Sequence, residues 1–226
     1  MSADEIVVGG FVPFTTLDFP GRLSAVVFCQ GCPWRCRYCH NPHLQSPRPV
    51  SSQWSWRRVF SELAARRGFL EAVVFSGGEP TIQSGIARAI RDVRDMGFAV
   101  GLHTAGLSPS RLASVLPFLN WVGLDIKAPF DRRYTAITRH PDSFKSAARA
   151  LDLVLASGIP CEIRTTVHPD LLGDADLRDL STDLAARGAP RTRIQPFRPE
   201  GCVDSALVGA GGASLQSSGT GSSFRL

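Results

Sequence analysis

The chain has 226 residues, 43% of them hydrophobic, and a formal net charge of +5; that length supports one sizeable core, and no apolar run approaches the ~20 residues that cross a bilayer. The first residues, MSADEIVVGG, carry two acids and no basic segment leading into a long apolar one, so they do not read as a secretory signal. A cytoplasmic protein is expected, in which thiols stay reduced and clustered cysteines mean metal more often than disulfide. The basic residues fall in pairs or on helix faces, such as Arg57-Arg58, Arg66-Arg67, Arg132-Arg133 and Arg88 with Arg91 and Arg94, and acids such as Asp92 and Asp95 interleave with them. This is the pattern of solvated helix faces. Without an aromatic and basic stripe to stack bases it points away from nucleic acid, and an acidic protein partner would account for the charge equally well.

Apolar runs rich in β-branched residues alternate with helical patterns, which predicts βα units and a mainly parallel sheet. In chain order the strands are expected at 24–29, 71–76, 98–103, 120–126, 160–167 and 192–197, and the helices at 53–67, 83–96, 109–118, 143–157 and 174–187. Gly68, Gly97, Gly158 and Gly188 act as stop signals at helix ends. About six strands with intervening helices predict an open, partial α/β barrel, whose sites collect at the C-terminal ends of the strands. The unusual residues do follow strands: the cysteine loop after the first, Gly77-Gly78-Glu79-Pro80 after the second, Thr104-Ala105-Gly106 after the third, Asp125-Ile126-Lys127 at the end of the fourth and Gln195-Pro196-Phe197-Arg198 at the end of the last. Within 161–168, Glu162, Arg164, Thr166 and His168 share one face, which reads either as a cavity wall or as an edge strand facing water. From Val203 to Leu226, Gly and Ser fill 11 of 24 positions without lasting periodicity, so the expected division is a core domain over 1–202 and a flexible tail over 203–226.

Cys32, Cys36 and Cys39 stand in GCPWRCRYCHNP. Three thiolates on one loop hold three corners of a cubane iron–sulfur cluster, whereas a cluster that only carries electrons normally takes four. The spacing therefore predicts an iron with an open coordination position. The competing reading adds Cys29 to make a structural zinc site. Against it, zinc ligands usually come as pairs from two separated segments, and Cys29 ends the apolar run Ser24-Ala25-Val26-Val27-Phe28, where a cysteine packs as a small hydrophobe. Gly77-Gly78-Glu79-Pro80 lacks the lysine of a phosphate loop, and its acid would repel phosphate; Glu79 beside bare carbonyls suits a cation such as a primary ammonium. Asp125 and Lys127 lie two apart and face one side of a strand, either as a local ion pair or as part of a site for an amino acid joined to a nucleoside.

Together these features resemble the radical S-adenosylmethionine superfamily, with Tyr38 as the aromatic before the third cysteine. The resemblance implies a [4Fe-4S] cluster whose fourth iron is chelated by S-adenosylmethionine, and reductive cleavage of that cofactor to a 5'-deoxyadenosyl radical that abstracts hydrogen. A narrower likeness, over roughly residues 9–200, is to the anaerobic ribonucleoside-triphosphate reductase activating proteins and less closely to pyruvate formate-lyase activating enzymes. It rests on GFVPFTTLDFPGRLSAVVFCQGCPWRCRYCHNP, FSGGEPTIQ, GLDIKAP, SGIPCEIRTTVHP and IQPFRP. On that basis Gly77, Gly78 and Glu79 would contact the methionine amine, Tyr38 the adenine, and Thr104, Asp125 and Lys127 the rest of the cofactor. Asp18 and Arg164 would meet a glycyl radical enzyme as protein substrate, and an electron donor such as flavodoxin or ferredoxin would be needed. Two other functions compete: a small-molecule radical enzyme such as a 7-carboxy-7-deazaguanine synthase, and a non-catalytic zinc module. The chain departs from the activase pattern at His103, where relatives often carry aspartate, and Cys161 with Cys202 are too few for a second cluster.

Overall fold

A computed structural model describes residues 6–48, 53–190 and 192–210. Among these residues the strands form one seven-stranded sheet in the order of the chain: β1 (Val8–Thr15), β2 (Ser24–Cys29), β3 (Ala72–Gly77), β4 (Ala99–Thr104), β5 (Trp121–Asp125), β6 (Cys161–Val167) and β7 (Arg193–Pro196). β2 to β7 are parallel, while β1 lies antiparallel on β2. β1 and β7 are free edges, so the barrel is open, as expected. The helices are α1 (Trp56–Ala64), α2 (Ile86–Asp95), α3 (Pro109–Val115), α4 (Arg132–Thr138), α5 (Ser143–Ser157), α6 (Asp174–Ala186) and α7 (Ser205–Ala210). Among the described residues no helix is long and apolar enough to cross a membrane.

The continuous apolar runs of β2 and β3 follow from burial on both faces. Val27 and Cys29 of β2, Val73 and Phe75 of β3, Val100 and Leu102 of β4 and Val122 and Leu124 of β5 join the main core beneath the helices. The alternate residues Val26, Ala72, Val74 and Trp121 face inward and make a second cluster with Phe19. Phe19 comes from the β1–β2 turn, which folds back into the barrel, and its ring lies 5.8 Å from that of Trp121. Burying an aromatic ring there contributes about 1.5–3 kcal/mol and floors the interior. Further along the same strands the inward positions turn polar, to Ser76, His103, Asp125, Arg164 and Thr166, which border a cavity.

Three segments add elements to those expected. β1 is not among the expected strands; Gly9, Gly10 and Pro13 interrupt its alternation, and two register shifts break its ladder with β2. α4 is not among the expected helices; Asp131 caps it by accepting the Arg133 N–H at 2.8 Å. The stretch from 203, where composition shows no lasting periodicity, carries α7 over Ser205–Ala210, with Leu207 1% exposed. The rest of that tail, 211–226, lies outside the described residues.

Candidate active site

The cavity at the C-terminal ends of the strands has a volume of ≈ 510 Å³. One wall is the cysteine loop. Gly31, at φ +98, turns the chain out of β2, and the Gly31 and Cys32 N–H groups donate to Leu44 and Gln45 carbonyls at 2.7 and 3.1 Å. Arg35 and Arg37 N–H groups donate to Thr138 and Ile137 of α4 at 2.8 and 3.0 Å. Trp34, 2% exposed, packs edge-on to Tyr134 at 5.8 Å. Cys32, Cys36 and Cys39 all line the cavity. Cys29 does not; it is fully buried beneath the helices, and burial, then the charge of Glu79, pushes its thiol far up. Burial also pushes Cys32 up to about 12 and Cys36 to about 11, so their thiolates need the charge of a bound cation. Among the described residues no three His, Cys, Asp or Glu side chains converge on a single-ion position. Cys29 lies in the core, away from the face that Cys32, Cys36 and Cys39 share, whereas a four-thiolate zinc site needs all four on one position.

The Gly77-Gly78 pair has a structural task at the root of the cysteine loop. Gly77 is at φ +114, and a Cβ there would come within 2.5 Å of Cys29 backbone atoms; one on Gly78 would strike the Gly31 carbonyl. The two glycines let β3 approach the root of the cysteine loop, and the Gly78 and Glu79 N–H groups bond to Cys29 and Gly31 carbonyls, each at 2.9 Å. Both glycines line the cavity.

The Glu79 side chain is 1% exposed and lies behind the cavity lining. Its Oε1 accepts from the Thr81 N–H at 3.0 Å and from the Thr81 and Thr104 hydroxyls at 2.6 Å each, and its Oε2 from the Ala105 N–H at 2.9 Å. Burial raises its pKa and these bonds oppose the rise. Glu79 thus ties the β3 loop to the β4 loop, and Thr104 Oγ1 passes the connection on by accepting the Gly106 N–H at 2.9 Å. Thr104 itself lines the cavity.

Opposite the cysteines, Asp125 is clamped between two cations. Its Oδ1 takes Arg164 Nε and Nη2 at 2.9 Å each and its Oδ2 takes Lys127 Nζ at 3.2 Å. Burial would raise its pKa, but Arg164 and then Lys127 outweigh burial and hold the carboxyl well below the usual range. Burial would likewise lower Lys127, and Asp125 reverses that. The two readings of the Asp125-Lys127 spacing therefore merge: it is an ion pair, and it borders the cavity. Arg164 completes it, and Arg164 and Thr166 show that the polar face of β6 is a cavity wall; His168 on the same face is buried against Leu207 instead. Tyr38, 4% exposed, borders the cavity with Lys127 Nζ 5.8 Å from its ring centre, and its hydroxyl is buried without a partner among the described residues.

Asp18 reaches the cavity on the β1–β2 turn, held by the Thr15 hydroxyl at 2.8 Å. His103 anchors that turn. Its Nε2 lies 3.0 Å from the Asp18 carbonyl, which can only accept, so Nε2 carries the proton and Nδ1 accepts from the Ser76 hydroxyl at 3.4 Å. Burial first, then the charge of Arg164, lowers His103 to about 4. The residue that replaces the expected acid is thus a neutral strut between β4 and the turn. His40, Arg193, Gln195 and Arg198 also border the cavity; the strand-end position of Gln195 and Arg198 was the signal for two of them, and nothing local marked the others.

The profile describing the Radical SAM superfamily matches residues 26–180. A protein of Methanocaldococcus jannaschii named as a glycyl-radical enzyme activating enzyme is 28% identical over 208 residues, 88% of this chain and 83% of the relative. The pyruvate formate-lyase-activating enzyme of Clostridium pasteurianum is 27% identical over 194 residues, 82% of this chain and 79% of the relative. Among solved structures, Streptococcus suis SuiB bound to S-adenosylmethionine is similar with a TM-score of 0.59 at 12% identity, over 75% of this chain and 39% of that one. Native anSMEcpe with bound AdoMet is similar with a TM-score of 0.59 at 17% identity, over 75% and 49%. The chain spans less than half the length of these two solved proteins, and at such identities the likeness is one of fold.

Proposed function

Since the chain belongs to the radical SAM superfamily, we propose that it is a glycyl radical enzyme activase whose protein substrate is an anaerobic ribonucleoside-triphosphate reductase. The superfamily works with a [4Fe-4S] cluster and S-adenosylmethionine, and the chain is an enzyme of the glycyl-radical activating type. The residues fit both groups: three thiols share one cavity wall while Cys29 faces away, and ≈ 510 Å³ lies inside the ~300–1,000 Å³ typical of small-molecule sites. That division of the four cysteines is the observation that carries the reading, because it leaves one corner of a cluster without a protein ligand.

In this reading Cys32, Cys36 and Cys39 hold the cluster. The backbone of Gly77, Gly78 and Glu79, with Tyr38, Thr104, Asp125 and Lys127, receives the cofactor. When bound, the two groups supply a 5'-deoxyadenosyl radical that abstracts hydrogen from the partner's glycine. Glu79 orients the loop carrying Thr104, and the Arg164 guanidinium keeps Asp125 ionised so that Lys127 stays in place. Asp18, on a turn fixed by His103, meets the partner's glycine-bearing segment together with Arg164. The net charge of +5 suits an acidic electron donor such as flavodoxin or ferredoxin, and we place the protein in the cytoplasm with them.

Anaerobic incubation with a reductant, S-adenosylmethionine and the candidate reductase should produce a glycyl radical resonance in the reductase. Cleavage of S-adenosylmethionine with no such signal in any glycyl radical enzyme would defeat the proposal.

A further inference from the structure

The cysteine loop follows the second strand, yet it is held by residues that follow the seventh. After β7, the Arg198 carbonyl accepts His40 Nε2–H at 2.9 Å, and the His40 and Phe197 rings lie 5.9 Å apart. Gly201, at φ +78, sits so closely on the His40 carbonyl that any Cβ would strike it. The Cys202 thiol donates to the Arg37 carbonyl at 3.3 Å. Asp204 Oδ2 takes Arg37 Nε at 2.8 Å and the Arg139 guanidinium at 3.6 Å, while its Oδ1 caps α7 at the Ala206 N–H, 3.2 Å away. Leu207 seals the far end: its side chain is buried and its carbonyl accepts His168 Nε2–H at 3.1 Å.

These contacts lie where the sheet itself is open. Among the described residues β1 and β7 share no hydrogen-bonded ladder, but His40, from the loop after β2, and Arg198, from the loop after β7, meet at the cavity rim. Arg37 stands between Cys36 and Tyr38, so whatever fixes Arg37 fixes both neighbours. Its N–H is held by α4 and its carbonyl and guanidinium by the segment after β7. The Asp204 and Arg37 side chains are 15% and 28% exposed, which shields their pair better than an ordinary surface ion pair.

We propose that residues 197–207 form a clasp that closes the open barrel over the cysteine loop, with Asp204 as a positioning residue that holds Cys36 and Tyr38 through Arg37. The clasp is a property of the polypeptide and stands apart from the identity of the partner enzyme, so its failure would leave the activase reading intact.

The test is amide hydrogen exchange of the full-length apo chain, comparing wild type with Asp204→Asn, Asp204→Glu and Gly201→Ala. Asp204→Asn and Gly201→Ala should speed exchange in 32–41 by about tenfold and leave 86–104 at the wild-type rate, and Asp204→Glu should recover most of the protection. In anaerobically reconstituted protein, the first two variants should lose the visible absorbance of the cluster several-fold faster in air. Release of 203–210 alone, with 32–41 unchanged, would reduce the segment to a surface attachment and overturn the proposal. A uniform rise across the chain would overturn it equally, because it would mark general loss of stability.

Discussion

His103 gives the site a pH dependence whose size follows from its surroundings. Burial, then Arg164, depresses its pKa from 6.5 to about 4, so the folded chain resists a proton that the unfolded chain accepts. For a base depressed in this way stability is full above the unfolded value and falls as pH drops toward the folded one. At pH 5 the unfolded imidazole is almost wholly charged while the folded one is mostly neutral, and linkage gives a loss of about 2 kcal/mol relative to pH 7.5. Because His103 borders an open cavity, screening trims this to about 1–2 kcal/mol. His103→Gln keeps a donor for the Asp18 carbonyl and does not titrate. The other charges facing position 103, Asp18, Asp125 and Arg164, are common to both proteins. Urea unfolding of the apo chain at pH 7.5, 6 and 5 should therefore show wild type losing that increment relative to the variant. Parallel pH profiles would refute the assignment of His103 as a buried neutral strut.

Three further outcomes follow from packing. Gly78→Ala forces a methyl against the Gly31 carbonyl, and because the obstacles are backbone it should cost about 1–3 kcal/mol in denaturant unfolding and reduce iron loading. Cys29→Ala should leave iron content at the wild-type level after reconstitution while lowering the melting temperature, whereas Cys36→Ala should abolish the cluster; equal loss in both would return Cys29 to the ligand set. Glu79→Gln replaces half of a fully engaged acceptor by an amide donor facing the Ala105 N–H or the Thr104 hydroxyl, a loss of about 1–3 kcal/mol visible in thermal melts of the apo chain.

The parts of the site legible in advance are those whose signal is local. Cys32, Cys36 and Cys39 lie within one loop, Gly77 to Pro80 follow one strand, and the central strands β2 to β5 show as apolar runs because both their faces are largely covered. β1 escaped because a glycine pair and a proline interrupt its pattern, and α4 because its cap and short length leave little periodicity. Glu79 was legible as a residue that matters but not in its task, since Thr104 and Ala105, its partners, are supplied by the next strand. That the Gly77-Gly78 pair also makes room for the cysteine loop was not legible, because the backbone it meets, at Cys29 and Gly31, belongs to another strand.

The sequence by itself determined the chemistry on offer: three thiols spaced for an open cluster, a run of strand ends carrying polar groups, and a chain long enough for one open barrel. These are matters of residue type and short spacing. Only the tertiary structure decided which face Cys29 occupies, that Arg164 joins Lys127 on Asp125, that His103 holds the turn bearing Asp18, and that Asp204 reaches Arg37. Each depends on pairs far apart in the chain: the strand residues meet because strands alternate their side chains between the helix-covered face and the barrel interior, and Asp204 meets Arg37 because the loops after β7 and β2 pack together.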